Sequence, residues 1–124
     1  MTSNSETADS LRAAADYIRV HGWHQGSTMN PDTGAVCAYG AILGSAYEAS
    51  GYEMFAPGSP PVQDYRRVSD PAVVALNQWL MTVYPAVRVV ENGGIPWWND
   101  VKDRTVDDVT AGLEKAAAWI EEQV

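Results

Sequence analysis

The chain has 124 residues and a formal net charge of −8, from 16 acidic and 8 basic side chains. A domain of this length can bury a core by itself, and the single cysteine excludes an internal disulfide. The acidic balance repels phosphate backbones, so we expect no direct nucleic-acid binding. The start of the chain carries neither a basic nor an apolar stretch and no apolar run could span a bilayer, which predicts a cytoplasmic protein without membrane contact.

The first third of the chain predicts a helix followed by a small hairpin. A polar tail over residues 1–6 precedes a helix over about 7–21. Gly22 ends this helix because glycine adopts a left-handed conformation without a Cβ clash. The sequence Asn30-Pro31-Asp32-Thr33-Gly34 predicts a turn, and short strands on either side would form a hairpin within residues 23–37.

A second helix with an unusually small-residue face is predicted next, from Ala38 to Ala49. Gly40 and Gly44 lower its helix propensity, so they should be tolerated only where another backbone packs close to them. Residues 52–69 carry three prolines and one glycine between two tyrosines. This composition predicts a long loop.

The remainder predicts two further helices around a short strand. Asp70-Pro71 is typical of a helix start, with Pro85 as the stop. The apolar run 87–90 predicts one strand, and Asn92-Gly93-Gly94 a turn. Thr105 and Asp108 resemble a capping box at the start of the last helix.

Together these segments predict one α+β domain over residues 1–124, mainly helical, with about four helices around one core and a small β-hairpin or short sheet. The first and last helices each carry one apolar stripe, so they must share the core. If they pack antiparallel, the end of the first helix lies beside the start of the last. Two segments, residues 23–25 and 98–100, would then be in contact.

These two segments also provide the candidate site. They mix tryptophan with hydrogen-bonding side chains, a mixture typical of binding surfaces and of buried polar junctions. Of the adjacent pair Trp97-Trp98, an extended chain would place one indole in the core and one outside. Two interpretations stay open, a polar contact that holds the fold or an exposed indole rim that binds a partner. The candidate residues are Trp23, His24, Gln25, Trp97, Trp98, Asn99, Asp100 and Arg104.

Cys37 offers the alternative of a small hydrolase or transferase. A thiol at a helix start can act as a nucleophile, with His21 or His24 as base and Asp100 to orient it. Its neighbours are apolar and small, which favours an inert buried thiol, so we assign no catalytic residue. The same thiol and histidines lack the second ligand pair of a zinc site, so we predict no metal and no cofactor.

Three parts of the chain form a recognisable set. They are His21-Gly22-Trp23 with Gln25-Gly26, then Cys37-Ala38-Tyr39-Gly40-Ala41-Ile42, and Trp98-Asn99-Asp100 with Arg104-Thr105 leading to Val109 and Leu113. Together they resemble an uncharacterised family of small proteins from actinobacteria and their phages. The resemblance spans both ends of the chain and is weakest over residues 52–69. It implies a bacterial or bacteriophage origin and a cytoplasmic life in a bacterial cell or an infected host, and it transfers no activity.

We therefore expect a non-catalytic cytoplasmic protein-interaction module. Its partner would be a host protein or a second copy of the chain, and the oligomeric state stays open. Small acidic phage proteins of this kind are candidates for modulators of a host protein.

Overall fold

The computed structural model describes residues 3–123, apart from the side chains of Arg67 and Val68. None of the described helices is long and apolar enough to cross a membrane. The helices are α1 (Asn4–His21), α2 (Ala38–Ala49), α3 (Gln63–Val83), α4 (Ala86–Asn92), α5 (Ile95–Asp100) and α6 (Val106–Glu122).

The first and last helices pack antiparallel at the centre of the fold. The Asn4 side chain donates to the Gln123 carbonyl at 2.9 Å, and Arg19 forms an ion pair with Glu114. These partners follow opposite orders along the two helices. Helices α2 and α3 pack against this pair. The shared core includes Leu11, Ala14, Ile18, Leu76, Val109, Leu113 and Ala117.

Side-chain caps fix the starts of both central helices. The Ser3 hydroxyl accepts a hydrogen bond from the Glu6 N–H at 3.1 Å. Helix α1 therefore begins within the predicted 1–6 tail, whose first two residues lie outside the described residues. At α6 the predicted capping box is confirmed, since Thr105 and Asp108 each cap the other's backbone N–H. The Thr105 N–H lowers the pKa of the Asp108 carboxyl, because it stabilises the charged form.

The predicted β-hairpin is wrong. Residues 3–123 contain no strand, only isolated bridges from Val36 to Trp23 and to Met29. Both bridges share one residue, so no ladder extends from them. The predicted turn is present, because the Gly34 N–H donates to the Asn30 carbonyl at 2.8 Å. The domain is helical and not α+β. Helices α1 and α2 are joined by an irregular segment over residues 22–37, which we call the connection.

The predicted strand at 87–90 is also wrong, because these residues lie in α4. Only Val89 of this helix is buried, whereas Val87 and Val90 are exposed. A short apolar run has no period that distinguishes a strand from one turn of helix. With α5, this helix takes the number of helices beyond the predicted four.

Helix α3 begins earlier than the Asp70-Pro71 signal predicts, and Pro71 lies inside it. The first turns are held by packing. The Tyr65 ring stacks on the Tyr47 ring with centroids 4.0 Å apart, and the buried Ser69 hydroxyl donates to the Tyr65 carbonyl at 2.9 Å. Tertiary contacts thus extend the helix into the predicted 52–69 loop.

The two glycines of α2 allow close packing. A Cβ on Gly40 would overlap the backbone carbonyl of Thr28, which confirms the expected close backbone. A Cβ on Gly44 would lie 2.6 Å from the Tyr17 ring, so the neighbour there is a side chain instead. These contacts seat α2 against the connection and against α1.

Candidate functional site

The chain turns sharply after α1 and brings the first candidate segment to α5. Gly22 has a φ of 98°, which favours glycine. Its N–H donates to the Ile18 carbonyl at 2.7 Å, and its carbonyl accepts from the Val36 N–H at 3.0 Å. The His24 N–H returns to the Val36 carbonyl at 2.9 Å. These bonds fix the backbone that follows α1.

Asn99 in α5 is the centre of the contact and is fully buried. Its Oδ1 accepts from the Trp23 indole N–H at 2.8 Å and from the Ala38 N–H at 2.9 Å. Its Nδ2 donates to the His24 carbonyl at 3.0 Å and to Asp100 Oδ1 at 2.9 Å. Two donors and two acceptor positions are the whole capacity of this amide, so it is saturated within the fold.

Gln25 and Gly26 complete the contact. The Gln25 Nε2 donates to the Asn99 carbonyl at 3.0 Å and to the Val101 carbonyl at 3.2 Å. The Gly26 N–H donates to Asp100 Oδ1 at 3.0 Å. The predicted meeting of the two segments is therefore confirmed. We call the side chains of Trp23, Gln25, Asn99 and Asp100 the polar junction.

His24 takes part through its backbone alone. Its Nε2 lies 2.8 Å from the Ser27 hydroxyl, whereas the Asp100 carboxylate accepts from Gly26 and Asn99. The arrangement in which Asp100 orients a histidine base is not present in these bonds. Asp100 instead fixes the backbone of the connection.

Both tryptophans of the adjacent pair pack against other rings. Because they lie in α5 and not in an extended stretch, their side chains are about 100° apart around the helix and do not point to opposite faces. Trp98 is 2% exposed and meets Trp79 edge to face. Trp97 is half-buried and meets Tyr84 edge to face, with ring centroids 5.5 Å apart.

Arg104 holds the end of α5. Its Nε donates to the Trp98 carbonyl at 3.0 Å, and its guanidinium carbon lies 5.7 Å from the Trp98 ring centroid. Its Nη2 donates to the Tyr84 hydroxyl at 3.3 Å. The side chain therefore stabilises the packing of both tryptophans.

Cys37 lies beside the polar junction and is 8% exposed. Its Sγ accepts a hydrogen bond from the Gly40 N–H at 3.4 Å, as the cap of α2. Burial raises the pKa of the thiol, so less of it is thiolate at neutral pH. The adjacent cleft of about 130 Å³ is also lined by Tyr39, Pro96 and Asp100. A nucleophile needs the opposite shift of its pKa.

His21 contacts Tyr17 and Glu48. Its ring stacks on Tyr17 with centroids 4.0 Å apart, and its Nε2 lies 3.2 Å from Glu48 Oε2. Within residues 3–123, no group of three or more histidine, cysteine, aspartate or glutamate side chains could hold a metal ion.

The structure also reveals a surface that the sequence reasoning missed, which we call the α1 groove. It comprises a concavity of about 350 Å³ lined by Tyr17, His21, Glu53 and Phe55 among others. A second concavity, of about 320 Å³, shares Tyr17 and is lined by Asp16, Val20 and Glu48. The residues come from α1, the connection between α1 and α2, α2 itself and the loop after it, and no sequence motif joins them.

Comparison with known proteins places the chain in a family. Residues 2–118 match the family of unknown function DUF6197, so the chain belongs to that family. No curated protein and no solved structure matches the chain.

Proposed function

We propose that the protein acts in the cytoplasm by binding another protein and not by catalysing a reaction. The observation that carries this proposal is the saturation of the polar junction. Asn99, the most buried polar residue of the motif, uses all four hydrogen-bonding positions inside the fold. An amide with its donors and acceptors occupied has nothing to offer a substrate.

The hydrolase or transferase alternative would need an activated thiol. Cys37 is buried, accepts a backbone hydrogen bond and has a raised pKa. These features are typical of structural cysteines and oppose a nucleophilic role.

Exposed apolar side chains support binding instead. One group lies at the α1 groove, where Val20 is 77% and Phe55 is 54% exposed. Another lies on α4, with Val87 and Val90. Large apolar side chains grouped on a surface are typical of protein interfaces.

We further propose that the partner is a protein of an actinobacterial host and that this chain is a phage-encoded modulator of it. This finer proposal rests on the resemblance of the motif segments to proteins of actinobacteria and their phages. The net charge of −8 favours a partner with a basic surface.

The test is capture from an actinobacterial lysate, followed by purification of the retained protein and measurement of its affinity. We expect the paired change Val20→Asp with Phe55→Asp to weaken binding at least about tenfold, since charges at a buried apolar contact are costly. Val87→Asp with Val90→Asp is the corresponding change on α4, and the comparison of the two paired variants shows which of the two apolar groups contacts the partner. Cys37→Ser should bind normally.

Two results would overturn the proposal. One is that the protein retains nothing beyond what an unrelated acidic protein of similar charge retains. The other is a hydrolytic or transfer activity that disappears in Cys37→Ser.

A further inference from the structure

We propose that the α1 groove binds a basic segment of the partner protein, with an arginine side chain against the Phe55 ring and near the carboxylates of Glu48 and Glu53. This inference rests on the proposed function, and it names the chemistry of the partner. The shape, the apolar surface and the charge of the groove support it.

The groove has room for side chains of an extended segment. Its two concavities, of about 350 and 320 Å³, are both lined by Tyr17. The Tyr17 ring lies close over Gly44, whose missing Cβ leaves space for it. The floor between the two concavities is therefore set by close packing of α1 on α2.

Phe55 presents an aromatic face that the fold does not use. Its φ of 64° is one that side-chain-bearing residues rarely adopt. The turn around it is held by the Ala56 N–H, which donates to the Glu53 carbonyl at 3.2 Å, and by the Ser59 hydroxyl, which donates to the same carbonyl at 2.5 Å. The ring nevertheless stays 54% exposed. Exposed aromatic faces attract guanidinium and ammonium groups.

The charge around the groove is negative. Glu48 and Glu53 carry their carboxylates there, and no lysine or arginine of the described chain is among the residues that line either concavity. Arg19 pairs with Asp16 at the margin. The last turn of α2 carries no basic residue to offset its free carbonyls.

The pKa of Tyr17 is consistent with this negative field. Burial raises it first, and the carboxylates of Glu48 and Glu53 raise it further. His21, in contact with Glu48, is the only histidine, lysine or arginine among the described residues that line the two concavities. A guanidinium from a partner would add hydrogen bonds to carboxylate and a cation–π contact together, which an ammonium does less well.

The experiment uses a fluorescein-labelled peptide of alternating arginine and leucine, and a second peptide in which citrulline replaces arginine. Citrulline keeps the shape and removes the charge. Fluorescence anisotropy with the full chain should give binding of the arginine peptide that is at least about tenfold tighter than that of the citrulline peptide.

Paired variants then locate the site. Glu48→Gln with Glu53→Gln should weaken binding of the arginine peptide at least about tenfold. Glu91→Gln with Glu122→Gln removes the same charge elsewhere and should change it by less than about twofold. Phe55→Asn keeps the left-handed backbone, because asparagine adopts that conformation. It should weaken binding about two- to fivefold, because the aromatic ring is lost. Thermal melting checks that each variant folds.

Equal losses from the two double variants, or equal binding of the two peptides, would overturn the inference. So would sedimentation showing that wild type forms a dimer through this groove, with the Glu48→Gln, Glu53→Gln variant monomeric. A partner captured from lysate that binds this variant with unchanged affinity would overturn the inference and leave the proposed function standing. Failure to capture any partner would count against the proposed function itself.

Discussion

The polar junction follows helix α1, and the α1 groove runs along the same helix. The polar side chains of the junction bond within the fold, whereas those of the groove stay largely at the surface. At the junction the Asn99 amide and the Asp100 carboxylate bond to backbone and indole groups of the fold. In the groove Glu53 is exposed, Glu48 contacts His21, and the Phe55 ring faces solvent. The residues most conspicuous in the sequence hold the fold together, while an unremarkable stretch forms the surface suited to a partner.

The difference has a physical basis. An amide buried without partners is costly, so a buried asparagine is informative about structure before it is informative about function. A carboxylate at a surface costs little to keep solvated and becomes useful when a cation approaches. Hydrogen-bond saturation therefore separates the two regions better than residue type does.

The largest loss of stability is expected when Asn99 is replaced. Replacement by alanine leaves the Trp23 indole N–H, the Ala38 N–H and the His24 carbonyl without their partner. We expect a loss of about 3 kcal/mol in the free energy of unfolding, since each unpaired buried group costs about 1–3 kcal/mol. Urea denaturation measures it.

Asn92→Ala is the matched control, because Asn92 is exposed and bonds only its own helix at Arg88. It should change the free energy of unfolding by less than about 0.5 kcal/mol. A loss below about 1 kcal/mol in Asn99→Ala would show that the junction is not a structural centre.

The two glycines of α2 give a smaller and sharper contrast. Gly40→Ala sets a Cβ against the backbone carbonyl of Thr28, which cannot move without displacing the connection. We expect a net loss of about 2 kcal/mol, in spite of the gain in helix propensity.

Gly44→Ala places a Cβ against the outer ring atoms of Tyr17, which are the far end of a side chain and not backbone. Its stability should stay within about 1 kcal/mol of wild type, since the propensity gain offsets the contact. Peptide affinity should fall instead, because the floor of the groove shifts. Comparable stability losses in both variants would remove this distinction.

The sequence permitted good prediction where local chemistry and one apolar stripe decide the structure. The capping box at Thr105, the turn ending at Gly34 and the meeting of the two segments follow from such signals. The expected antiparallel packing of the first and last helices predicted the location of the junction from the sequence alone.

The errors lie where tertiary contacts override local signals. Pro71 indicates a helix start, but Tyr65 stacks on Tyr47 and the helix extends past it. The valine run of α4 has too few residues to show a period. The groove combines α1, the connection after it, α2 and the loop after α2, and a single sequence carries no signal that these segments meet.

Cys37 should affect stability only at alkaline pH. Because burial raises the pKa of the thiol in the folded state, the folded protein keeps its proton at pH values where the unfolded chain loses it. Stability should therefore be unaffected below the unfolded pKa of about 8.5 and fall as pH rises above it. The loss between pH 8.5 and 9.5 is at most roughly 1.4 kcal/mol for one proton.

Urea denaturation at several pH values measures this slope, and Cys37→Ser, which has no thiol, should lack it. Native labelling of Cys37 by a thiol reagent at pH 7.5 should be slower than in the unfolded chain, since burial shields the thiol and raises its pKa. Rapid stoichiometric labelling would contradict a structural cysteine and favour the enzyme alternative.

The most direct test of the central claim is a titration of the ¹⁵N-labelled chain with the arginine–leucine peptide, followed by NMR. The chain has five tryptophans, and the Trp23 indole N–H, bonded to Asn99, reports on the junction. The account predicts that amide signals of residues 17–21 and 53–56 shift, while the indole signals of Trp23 and Trp98 stay in place. Shifts concentrated at these indoles and at Asn99, with the groove unchanged, would contradict it.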